Sequence, residues 1–99
     1  MNFEKGVSTI YKIIEKLHMN KRLAGSATIL LECFHLATTS TQISVSPSEE
    51  EARAAACVYL ACNLAHTRWT YLDIAEGTEF ASCREIERRT KTIRKILQL

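Results

Sequence analysis

The sequence predicts an all-α domain of five helices with the third helix central. Three observations predict it. First, Ala54–Leu64 reads AAACVYLACNL, without a single charge. Wound at about 100° per residue, it puts Ala54, Val58 and Ala61 on one face, Cys57, Leu60 and Leu64 on a second, and Ala55 and Cys62 on a third. A helix apolar on nearly every side has to be surrounded. At roughly 16 Å long it is too short for a bilayer, which needs about 20 apolar residues. Second, the segments around it carry apolar stripes at helical spacing. Third, Ser or Thr followed three residues later by an acid, a helix-start pattern, occurs ahead of three of those segments. The three alanines at 54–56 let neighbouring helices come close, and added bulk there is expected to cost about 1–3 kcal/mol.

The first helix is expected over about 3–18. Asn2 is read as its cap, and Phe3, Val7, Ile10, Ile14 and Leu17 form one stripe opposite Lys5, Lys12 and Lys16. It should stop near His18-Met19-Asn20, with Asn20 in the left-handed region or capping the next helix. The second helix, about 21–37, buries Leu23, Ala27, Leu30, Leu31 and Phe34. Gly25 and Ser26 permit a close crossing. His35, near its end, is read as a dipole partner rather than a ligand. Thr38–Val45 is read as a polar loop.

Ser46-Pro47-Ser48-Glu49 opens the third helix, about 47–65, with Ser46 as N-cap, Pro47 as first helical residue and Glu49 as reciprocal capping acid. Helix-start chemistry accounts for the whole triplet Glu49-Glu50-Glu51, since acids favour the positive end of the helix dipole. After the connection His66-Thr67-Arg68, Thr70 caps a short helix at about 71–76, with Asp73 as boxed acid and Trp69 and Ile74 as staple. The staple is the preferred role for Trp69 over stacking a base. Gly77 ends that helix, and Thr78–Ala81 is a turn. Ser82 caps the last helix, about 83–98, with Glu85 completing the box and Ala81 and Ile86 a weak staple.

Ninety-nine residues fit one domain spanning 1–99, and 46% apolar content argues against wholesale disorder. The net charge of +2 is unevenly spread: beyond Ser82 there are six basic residues (Arg84, Arg88, Arg89, Lys91, Arg94, Lys95) and two acids (Glu85, Glu87). With Ile86 at 0° on the last helix, Thr90, Ile93 and Leu97 fall within about 40° and face the core. Arg84, Arg88, Lys91 and Lys95 fall between about 140° and 200°. No acid lies inside that stripe, although Glu85 is placed to pair with Arg89. A solvated face is the plain reading. Against it, the stripe lies on the second helix of a short-helix, turn, helix unit, the position that enters a major groove in helix-turn-helix proteins.

The four cysteines, Cys33, Cys57, Cys62 and Cys83, lack zinc-ligand spacing. They are read as reduced, buried small hydrophobes, which favours an intracellular location. There is no signal-peptide apolar region, transmembrane run or glycosylation sequon. Nucleophile signatures, metal-ligand patterns and Gly-rich phosphate loops are also missing. The expectation is therefore a non-enzyme without cofactor or metal.

Four motifs in order carry a family resemblance. They are Ser46-Pro47-Ser48-Glu49; Ala55-Ala56-Cys57-Val58-Tyr59-Leu60-Ala61-Cys62; Thr70-Tyr71-Leu72-Asp73-Ile74-Ala75; and Glu85-Ile86-Glu87-Arg88-Arg89-Thr90-Lys91-Thr92-Ile93. Together they resemble a single cyclin-box repeat of the transcription factor IIB type, over nearly the whole chain. The chain departs from that pattern at Asn63, where an Arg is frequent, and at Glu79-Phe80, where a Gly-hydrophobic pair is common. It also carries one repeat where the family usually has two and a zinc ribbon.

The resemblance implies a five-helix cyclin-box-like fold and a role in transcription initiation. The implied partners are duplex promoter DNA, a TATA-binding protein and RNA polymerase, with a second repeat or a homodimer as a further partner. The location would be nuclear in a eukaryote and cytoplasmic in an archaeon. It points to Ser82, Arg84, Arg88 and Lys91 as DNA-contacting residues, and the stripe adds Lys95. The alternative is a cyclin-type protein-interaction module, kinase-regulating or otherwise, with Lys16, Lys21 and Glu51 on the rim of a groove between the first three helices.

Overall fold

The structure, a computed structural model, describes residues 3–38 and 46–99. The Asn2 cap and residues 39–45 of the expected loop lie outside the described residues. Five helices follow one another: α1 (Phe3–Lys16), α2 (Arg22–Thr38), α3 (Pro47–Leu64), α4 (Tyr71–Ala75) and α5 (Cys83–Leu97). No strand occurs among the described residues.

α3 packs against all four of the other helices. Its small side chains are what allow this. Ala52, Ala54, Ala55, Ala56, Cys57, Val58, Leu60, Ala61 and Cys62 are all buried. The last turn departs from the expectation: Leu64 is 57% exposed, and Asn63 beside it is exposed too. At the start, Ser46 caps as expected, its Oγ accepting from the Glu49 N–H at 3.3 Å, with Pro47 in the first turn.

α1 buries Ile10, Ile13 and Ile14, with Phe3, Val7 and Leu17 partly buried against the same core. Ile13 widens the expected stripe. Gly6 sits against α2 so closely that a Cβ there would lie 2.7 Å from Leu31 Cδ2. The close crossing expected at Gly25 is therefore at Gly6, while Gly25 is exposed with open space around it. The ring of Phe3 stacks on that of His35, centroids 6.0 Å apart.

Helix ends close without glycine in the left-handed region. His18 (φ 55°), His66 (φ 59°) and Gln98 (φ 57°) adopt it instead. At each, the next residue's N–H reaches back five residues: Met19 to the Ile14 carbonyl (2.9 Å), Thr67 to Cys62 (3.0 Å) and Leu99 to Arg94 (3.0 Å). These are Schellman endings, which satisfy carbonyls that a helix terminus leaves open. Asn20 takes the second of its two expected roles, its Oδ1 accepting from the Arg22 N–H at 2.9 Å. Gly77 does follow α4, but not with a positive φ. It is needed for space: a Cβ there would meet Leu17 at 3.0 Å and Ile13 at 3.1 Å.

All four cysteines are free thiols, but the expectation that all are buried holds only for Cys57 and Cys62. Cys33 is exposed and Cys83 intermediate. Cys33 lies on the outer face of α2, one turn from exposed Ile29 and near exposed Leu36. Burial pushes the Cys57 thiol up to about 12. The radius of gyration, 11.9 Å, matches the value of about 13 Å for a compact 100-residue domain. No helix among the described residues is long and apolar enough to cross a membrane.

Candidate nucleic-acid interface

The last third of the chain folds as a short helix, a turn and a longer helix, and local chemistry builds it. Thr70 and Asp73 form a complete capping box at α4. The Asp73 N–H donates to Thr70 Oγ1 (3.1 Å), and the Thr70 N–H donates to Asp73 Oδ2 (3.0 Å). Ser82 and Glu85 repeat it at α5, with distances of 3.1 and 3.0 Å. Hydrogen bonds from the Thr70 and Ser82 backbone N–H groups are the main reason that the Asp73 and Glu85 carboxyls sit below their ordinary range. At the staple positions Ile74, Ala81 and Ile86 are buried, and Trp69 packs partly buried on the core.

α5 is held by one edge. Ile86, Thr90 and Ile93 are buried, and Leu97 is partly buried beside them. The Thr90 hydroxyl is satisfied within its own helix, donating to the Ile86 carbonyl at 2.7 Å. A helix anchored on that edge turns its opposite face outward, and Arg84, Arg88, Lys91 and Lys95 are all exposed. The cationic face is not free of acid, however. Lys91 Nζ lies 3.2 Å from Glu87 Oε2, one turn earlier. Among the described residues, Arg84, Arg88 and Lys95 make no ion pair. Ser82, grouped with them by resemblance, is occupied as the helix cap.

Three further expectations are corrected around the start of α3. Arg89 does not pair with Glu85, whose carboxylate is taken by the capping box. Its Nη2 instead donates to Glu49 Oε2 at 3.1 Å. Among the described residues no capping box forms at α3 either. Nor is helix-start chemistry a full account of the acidic triplet, because each carboxylate reaches a different distant partner. Glu50 pairs with Lys5 at 3.2 Å.

Glu51 takes three consecutive backbone N–H groups of the α4–α5 turn. Its Oε2 accepts from Glu79 (2.7 Å) and its Oε1 from Phe80 and from Ala81 (2.8 Å). Successive backbone N–H groups of this kind make a concavity that favours an anion, and here the anion belongs to the chain itself.

With the triplet engaged, Arg53 is left without an acid within ion-pair distance among the described residues. Its guanidinium lies 6.0 Å from the centroid of the Phe34 ring, and its Nε is buried without a hydrogen-bond partner. Burial, and then the neighbouring charge of Arg89, pull its pKa down. On the other flank of α5, Tyr59 and Tyr71 stack with centroids 4.1 Å apart. Burial, chiefly, and the neighbouring Tyr59 push the Tyr71 phenol up.

Sequence reasoning missed several exposed apolar side chains on this unit, Leu72 (64%) and Phe80 (62%) foremost, with Ile96 and Leu99 at its end. Polar neighbours gave no signal that would single them out. Of the rim residues expected for a protein groove, Lys16 is exposed and lines a shallow, open depression with Ser8, Tyr11, Lys12, Glu15 and His18. Lys21 is exposed where α2 begins. Glu51 is engaged with the α4–α5 turn, and no described contact joins it to either lysine. No group of three His, Cys, Asp or Glu among the described residues could hold a metal ion.

Compared with protein-family models, with curated proteins and with solved structures, the chain matches none.

Proposed function

We propose that this chain is a transcription-initiation module, similar to a single cyclin-box repeat of transcription factor IIB, that grips duplex DNA through the outer face of α5. A TATA-binding protein and RNA polymerase are its proposed partners on the promoter. The observation that carries the reading is the face itself. Four cations lie on one side of a 15-residue helix, all exposed, and among the described residues only Lys91 is paired. From Arg84 to Lys95 the face runs roughly 16 Å, and a B-form major groove about 12 Å wide admits a helix of this kind. Position in the fold supports the same reading: α5 is the second helix of a helix-turn-helix-like unit. Arg84, Arg88 and Lys95 carry the phosphate contacts, and Lys91 joins them by exchanging Glu87 for phosphate.

The test is charge reversal, Arg88→Glu with Lys91→Glu. Placing an acid at 91 sets like charges four residues apart, which costs about 0.2–0.5 kcal/mol, so helicity by circular dichroism is the control. The expected result is loss of duplex binding with helicity intact. Unchanged binding would refute the reading. Capture of a protein partner that survives this double substitution would favour a cyclin-type interaction module instead. A sedimentation mass of two chains would favour a homodimer that supplies its own second repeat.

A further inference from the structure

We propose that Glu51 is a positioning residue for the cationic face of α5: its carboxylate, seated on the backbone of the α4–α5 turn, fixes the direction in which α5 leaves that turn. This inference rests on the DNA-binding reading of α5. The turn offers three consecutive N–H donors, from Glu79, Phe80 and Ala81, and all three close on one side chain of α3. The next N–H, of Ser82, is taken by Glu85. Every donor from 79 to 82 therefore ends on a carboxylate.

Each of the first three bonds spans 28 to 30 residues of sequence, so it ties the turn to a separate helix and not to itself. Hydrogen bonds to an ionised acceptor are roughly twice as strong as neutral ones. The Arg89–Glu49 pair ties α5 to the first turn of α3, farther along the helix. Two residues of α3 thus tie down this unit at separate places, Glu51 at the turn just before α5 and Glu49 at Arg89 within it. Glu51 makes no hydrogen bond or ion pair with Arg84, Arg88, Lys91 or Lys95 among the described residues, so apart from its charge it acts on them through position.

This gives a test in which position and charge predict opposite signs. Glu51→Gln removes a negative charge from a protein that binds a polyanion, so electrostatics alone predicts tighter binding. It also sets an amide NH2 against backbone donors, which loosens the turn. Glu50→Gln is the control. It makes the same charge change one residue away, at a side chain that reaches Lys5 and not the turn.

By fluorescence anisotropy on a duplex at fixed salt, Glu50→Gln should bind as tightly as wild type or slightly more tightly. Glu51→Gln should bind about three- to tenfold more weakly, because phosphate contacts depend on register and orientation. Its salt slope should match wild type, because the number of cations at the interface is unchanged. Binding by Glu51→Gln as tight as by Glu50→Gln would overturn the proposal.

A second measurement stands whether or not the chain binds DNA. The Glu79, Phe80 and Ala81 amides should be protected from exchange in wild type. In Glu51→Gln they should exchange faster, while Val58 and Leu60 keep their protection. Unchanged exchange at 79–81 would show that the carboxylate does not hold the turn. Should Glu51→Gln fail to fold, Glu51→Asp, which keeps two acceptor oxygens on a shorter stem, is read in both assays with the same criteria.

Discussion

Replacing Gly6 and Gly25 by alanine, one at a time, isolates the steric cost of the α1–α2 crossing. Both glycines lie inside helices, so each substitution brings the same gain in helix propensity, roughly 0.5–1 kcal/mol. At Gly25 nothing lies within 4 Å of the new Cβ, and the gain stands alone. At Gly6 the new Cβ meets Leu31 Cδ2 at 2.7 Å, against a comfortable carbon–carbon separation of about 3.5–4.0 Å. Leu31 is 1% exposed, so it can retreat only into packed core. Overpacking of this kind costs about 1–3 kcal/mol.

The propensity terms cancel in the comparison, so Gly25→Ala should exceed Gly6→Ala in stability by about 1–3 kcal/mol. For a chain of this length each kcal/mol moves the Tm by about 4–8 °C. Urea unfolding followed by circular dichroism reads the difference directly, with unchanged m-values required of both variants. Equal stability of the two would refute the packing described for Gly6.

Three further outcomes are expected. His18→Gly and His66→Gly should each stabilise the chain by up to about 1 kcal/mol, because a residue with a Cβ is disfavoured in the left-handed region; thermal melts check this. The two capping boxes should make stability acid-sensitive in a defined direction. Asp73 and Glu85 have folded pKa values below their unfolded ones, so their contribution is full above the ordinary carboxylate range and is lost as pH falls through the folded values. Asp73→Asn with Glu85→Gln, which removes the titrating carboxyls, should flatten that part of the pH–Tm curve. Finally, a thiol reagent at mildly alkaline pH should label Cys33 in the native chain first, Cys83 more slowly, and Cys57 only after unfolding, as mass spectrometry of timed quenches will show.

What the sequence made legible is what local chemistry decides. Two capping boxes, the Ser46-Pro47 helix start and the buried edge Ile86–Thr90–Ile93 each depend on residues within a turn or two, and each is where periodicity put it. Arg84 and Lys95 face solvent for the same reason. The long-range roles of Glu49 and Glu51 were not legible. An acid in the first turn of a helix already has a sufficient local explanation, and nothing in the order of residues says that its carboxylate reaches across 28 to 40 positions. The left-handed His18 and His66 were hidden because the residue that usually marks such a position, glycine, is missing there. Gly25 misled because a glycine in an apolar helix reads as a crossing point, whereas the crossing used Gly6, which the α1 stripe gave no reason to single out. Cys33 reads as buried on composition alone, but it sits on the flank of the buried face of α2 and is exposed.

The most direct measurement of the central claim is the affinity of the wild-type chain for duplex DNA across a range of salt concentrations. If Arg84, Arg88 and Lys95 meet phosphate, with Lys91 joining by leaving Glu87, log K should fall against log salt with a slope of about −2.7 to −3.6. An affinity indifferent to salt, or no binding at low salt, would contradict the claim that this helix presents its cations to a nucleic acid.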